Sequence, residues 1–88
     1  MNESQKEILL IAQEECAEVT QAISKVFRFG LDAMHNGASN RERLTEETGD
    51  LFCMIQLMIE KGIIDIGELE QASANKKAKL QQWSNIFN

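Results

Sequence analysis

The chain has 88 residues, 43% of them hydrophobic and 26% charged, which fits one globular domain spanning residues 1–88 and excludes a disordered chain. A net charge of −5 argues against binding nucleic-acid backbones, so any polyphosphate ligand needs a bound cation to attract it. No apolar run approaches the ~18 residues of a membrane span, and the opening MNESQKEILL lacks the basic stretch of a signal peptide.

The chain has no proline, five glycines and no clean period-2 run, so the predicted class is all-α. Ser4 with Glu7 forms an S-x-x-E capping pattern, which starts a first helix near residue 4. That helix runs to about Phe29, where Gly30 supplies a natural stop. Residues 31–42 read as a loop with at most one helical turn at its start. A second helix is expected from about Arg43 to Lys61, ended by Gly62. Asp65 with Glu68 caps a third, from Ile66 to about Trp83. Cys16 and Cys53 fall inside the helical patterns without a C-x-x-C spacing. Each is expected as a buried, reduced thiol in a cytoplasmic protein.

Glu14-Glu15-Cys16-Ala17-Glu18-Val19 and Glu46-Glu47-Thr48-Gly49-Asp50-Leu51 share the pattern E-E-x-x-[E/D]-apolar. At about 100° per residue, Ile8, Ile11, Val19, Ala22 and Val26 fall within about 40° of Glu15, and Glu18 lies about 60° aside. Around Glu47, Leu51, Met54 and Met58 fall within about 40°, with Asp50 about 60° to the flank. Most E-x-x-E pairs are solvated helix faces. Here the acids stand in the middle of apolar stripes on two helices, where an unpaired carboxylate costs several kcal/mol or takes up a proton. Two carboxylates ~5 Å apart repel by ~3 kcal/mol at an effective dielectric near 20. Neutralisation therefore falls to basic side chains, with Lys25 and Arg28 the main neighbours, or to a divalent cation. Oxygen-only donors select a hard ion, Mg²⁺ or Mn²⁺, over zinc or iron. His35, the sole histidine, reads as a solvated loop residue.

The segments EECAEVTQAISKVFRFG (residues 14–30), LTEETGDLFCMI (residues 44–55) and NKKAKL (residues 75–80) together resemble the MazG-like all-α nucleoside triphosphate pyrophosphohydrolases. The resemblance implies Mg²⁺ ligation by Glu15, Glu18, Glu47 and Asp50, with Glu14 an accessory acid and Glu14, Glu15 and Glu47 in catalytic roles. It implies hydrolysis between the α- and β-phosphates, releasing a monophosphate and pyrophosphate. Lys25, Arg28, Lys76 and Lys79 look like phosphate contacts. Lys76 is the better placed of the two on the third helix, sharing a stripe with Ile66, Leu69, Leu80 and Trp83, and a snorkelling side chain accounts for it equally well. Trp83 stands where relatives often carry an arginine.

Two other readings compete. Phosphoribosyl-ATP pyrophosphohydrolase belongs to the same superfamily, but Leu51-Phe52-Cys53-Met54 lacks the histidine expected after Asp50. A non-catalytic dimerisation or regulatory module is the second, and four intact acids argue against it. The wide apolar arcs of the first two helices predict a homodimer or tetramer that completes a four-helix core.

Overall fold

The computed structural model describes residues 1–88, beginning with a helix one residue earlier than predicted. α1 spans Glu3–Phe29 and is capped by Asn2, not by Ser4. The Asn2 side chain accepts from the Gln5 N–H at 2.8 Å, and the Gln5 side chain accepts from the Asn2 N–H at 3.1 Å. Asparagine caps as well as serine does, and glutamine serves at the third position, so the reciprocal pair simply sits upstream. At the far end Gly30, at φ 98°, donates its N–H to the Val26 carbonyl.

The connection to the second helix contains a small hairpin that the sequence reading missed. β1 (Met34–His35) pairs antiparallel with β2 (Ala38–Ser39), with Met34 opposite Ser39. Asn36 at φ 50° and Gly37 at φ 83° make the turn, the left-handed pair that a two-residue hairpin requires. α2 (Asn40–Glu60) follows immediately. Its predicted start at Arg43 was late because Ser39, not a later residue, is the cap: its hydroxyl accepts from the Glu42 N–H at 3.0 Å. Past its end, Gly62 donates to Ile59 and Ile63 to Met58, a Schellman closure with Gly62 at φ 73°. α3 (Ile66–Trp83) is capped by Asp65, whose side chain accepts from the Glu68 N–H as predicted.

The all-α class and the three helices stand. α1 and α2 pack antiparallel around Ile8, Ala12 and Met54, with Ile11, Leu57, Met58 and Ile63 half-covered beside them. α3 buries no residue. The molecule is a thin plate of 41 × 36 × 14 Å with a radius of gyration of 15.8 Å, against about 12 Å for a compact chain of this length. Cys16 and Cys53 are free thiols but exposed, a correction to the buried state predicted for them. They occupy faces of α1 and α2 that are turned away from the helix pair's core.

Candidate metal centre

Asn40 fixes how α1 and α2 face each other. Its buried side chain donates to the carbonyls of Gly30 at 2.9 Å and Lys25 at 3.4 Å. Seven residues from that anchor along each antiparallel helix stand Glu18 and Glu47; ten residues away stand Glu15 and Asp50. The two acid motifs are therefore brought face to face. One carboxylate oxygen from each of Glu15, Glu47 and Asp50 lies within 4.8 Å of the others.

Glu15 and Glu47 are half-buried, and Asp50 and Glu18 are exposed at the groove's edge. The carboxyls of Glu15 and Glu47 are both pushed above the usual carboxylate range. For Glu15 the causes are desolvation, then the charges of Asp50, Glu18 and Glu14. For Glu47 they are desolvation, then Glu18, Asp50, Glu46 and Glu15. Each central glutamate thus feels most strongly the acid opposite it on the other helix. Neither is neutralised by an ion pair, since the chain's salt bridges are Lys6–Glu3 and Arg41–Asp32. An all-oxygen donor set of this density, half-desolvated and lacking a basic partner, suits a hard divalent cation.

Glu18 stands outside the tight trio but lines a pocket of about 140 Å³ with Gln21, Ala22, Lys25, Asn40, Arg43, Glu46 and Glu47. Glu14 is exposed and acts on Glu15 by its charge. Of the four basic residues that the family pattern implied, only Lys25 lines this pocket. The Arg28 guanidinium sits 5.0 Å from the centre of the Phe29 ring. Lys76 and Lys79 are exposed on α3, the helix that buries nothing, and are not brought to the acids in one chain.

Two residues at the site escaped the sequence reading. Arg43 shares the pocket with Glu47, donates from its guanidinium to the His35 carbonyl, and has a buried Nε without a hydrogen-bond partner. Asn40 holds the helix register. The signal for Arg43 was its place one turn before Glu47, which puts both on one helix face. Starting α2 at Arg43 turned that residue into a frayed end and left Asn40 in a loop.

Helix-borne carboxylates opposed across an antiparallel pair define an all-α protein with an acidic centre. Residues 3–83 match the family profile of the MazG nucleotide pyrophosphohydrolase domain, and the chain belongs to that family. No curated protein and no solved structure gives a significant match. No helix is long and apolar enough to cross a membrane.

Proposed function

We propose that the chain is a Mg²⁺-dependent nucleoside triphosphate pyrophosphohydrolase, cutting NTPs or dNTPs to monophosphate and pyrophosphate in cytoplasmic nucleotide-pool cleaning. The observation that carries this reading is the convergence of Glu15, Glu47 and Asp50 within 4.8 Å across two helices. Glu18 completes the ligand set from the groove's edge. Mg²⁺, or Mn²⁺ in its place, neutralises phosphate charge when bound and lowers the pKa of a coordinated water.

The chain's own residues do the rest. Four carboxylates on two rigid helices would hold the ion, and the packing of Ile8, Ala12 and Met54 keeps them from spreading. Glu14, next to Glu15 yet solvated, serves to accept the proton of the attacking water. Lys25 lines the same pocket as Glu18 and Glu47 and contacts the phosphates. Arg28, Lys76 and Lys79 belong to this reading as phosphate contacts made across an oligomer, where α3 of one chain reaches the groove of another.

The decisive experiment incubates the protein with a panel of ribo- and deoxyribonucleoside triphosphates and Mg²⁺, and assays pyrophosphate and monophosphate together. Release of equal amounts of both is expected. Release of inorganic phosphate with a diphosphate, or no turnover of any triphosphate, would overturn the assignment.

A further inference from the structure

The groove between α1 and α2 does not end at the acids. Past Glu18 and Glu47 comes the pocket of about 140 Å³, and past that a cleft of about 600 Å³ walled by the end of α1 and the hairpin. Lys25, Asn40 and Arg43 line both spaces, so a cationic neck joins them. The smaller space equals the share of about four or five water molecules in liquid, a fit for phosphate groups. The larger lies within the usual size range of small-molecule sites.

The walls of the larger cleft differ in chemistry from the neck. Phe29 is 61% exposed and Met34 65% exposed, so both present open apolar surface there. His35 and Asn36 add polar edges, the Asn36 amide donating to His35 Nε2 at 3.2 Å in the tautomer protonated at Nδ1. At the neck, the buried Arg43 Nε has no acceptor within the chain. Neither Lys25 nor Arg43 is in an ion pair, so both leave positive charge at the neck for an anionic ligand. An apolar surface with an aromatic ring, flanked by hydrogen-bonding groups and reached through two cations, matches a nucleotide's base, sugar and first phosphate.

We propose that the hairpin cleft is the nucleoside subsite of the substrate, with Phe29 and Met34 against the base, His35 and Asn36 at its edge, and Lys25 and Arg43 on the α-phosphate. The proposal rests on the pyrophosphohydrolase reading and fixes the substrate's direction: base toward the hairpin, β- and γ-phosphates beyond the acids. The reverse direction would put a terminal phosphate in a space several times its size, against two apolar side chains.

Isothermal titration with a nucleoside monophosphate and, separately, with pyrophosphate, each with Mg²⁺, tests this without turnover. Phe29→Ala is expected to raise the monophosphate Kd by about tenfold, as loss of base stacking does, and to leave the pyrophosphate Kd within about twofold. Met34→Ala should move the monophosphate alone in the same direction, and unchanged melting of both variants shows that the fold is kept. Unchanged monophosphate binding in both variants, or a loss confined to pyrophosphate, overturns the subsite. So does wild-type protein that binds no monophosphate. A chain that hydrolyses nothing, yet loses monophosphate binding on Phe29→Ala, would sink the hydrolase reading and keep the subsite. An active hydrolase whose Phe29→Ala variant binds monophosphate normally would sink the subsite alone.

Discussion

Asn40 donates across the helix pair to the Lys25 carbonyl, and the spacing of that contact sets Glu18 opposite Glu47 and Glu15 opposite Asp50. A buried amide does this where an apolar residue would not, because it satisfies the Gly30 carbonyl just past the end of α1 as well. Asn40→Ala removes the donor and leaves that carbonyl unpaired. The expected loss is about 1–3 kcal/mol in urea denaturation, with a parallel fall in activity as the acids lose register. Stability equal to wild type would show that the anchor lies elsewhere.

Glu47 stands at the centre of the acid cluster, half-buried and without a basic partner. Glu47→Gln keeps the shape and removes the charge. In the absence of metal the variant should melt at or above the wild-type temperature, because repulsion with Glu18 and Asp50 is relieved. Hydrolysis should be abolished. Activity within a few-fold of wild type would mean that Glu47 holds no metal.

The raised pKa values of Glu15 and Glu47 give this a pH signature. A carboxyl that ionises later in the folded state than in the unfolded one costs nothing at pH below its ordinary value of 4.5, where both states hold the proton. From that value up to the raised folded one the unfolded chain has given up its proton while the folded state resists placing a charge among like charges, and stability falls. Metal-free wild type should therefore lose stability relative to Glu47→Gln as pH rises above about 4.5. Melting curves in chelator at several pH values test it, and a gap between the two proteins that does not change with pH would refute it.

Divalent cations should reverse the sign. If Mg²⁺ binds the folded acid cluster and not the unfolded chain, it stabilises by mass action, about 2.7 kcal/mol at a hundredfold excess over Kd. Wild type should then overtake Glu47→Gln in melting temperature as Mg²⁺ or Mn²⁺ is added. Sodium at equal ionic strength screens the −5 charge without filling the site. An equal rise in sodium would leave screening as the whole explanation.

The helical class, the α3 cap and the place of each acid motif within its own helix's apolar stripe were legible because each rests on local spacing. Glu15 and Glu47 sit amid their apolar neighbours at a 3.6-residue period, and Asp65 with Glu68 is a self-contained cap. The hairpin was not legible. Met34-His35 and Ala38-Ser39 are too short for any alternation to show, and only Asn36-Gly37 marked the turn. Missing it moved the start of α2 to Arg43, which hid Asn40 and Arg43 together. The exposure of Cys16 and Cys53 was beyond reach for another reason. A helical pattern shows which residues share a face, but one chain does not supply a partner for every face.

That shortage of partner surface leads to the prediction on assembly. A compact monomer of 10.0 kDa exposes about 5,200 Å², whereas this chain exposes 6854 Å². The excess is about twice what each partner contributes to a standard interface. It is also apolar where it counts: Phe27 is 86% exposed, Trp83 82% and Phe52 59%, and Ile63, Ile64, Ile66 and Leu69 line an open trough where α2 meets α3. α3 itself has no buried residue, so an oligomer would have a core to give it. Pairing about a two-fold axis would set α1 and α2 of each chain into a four-helix layer and bring α3, with Lys76 and Lys79, over a neighbour's groove. The protein is expected to run as a dimer or tetramer at micromolar concentration, with Phe27→Glu shifting it toward monomer and lowering activity in step. Light scattering that shows a fully active 10.0 kDa monomer would overturn this.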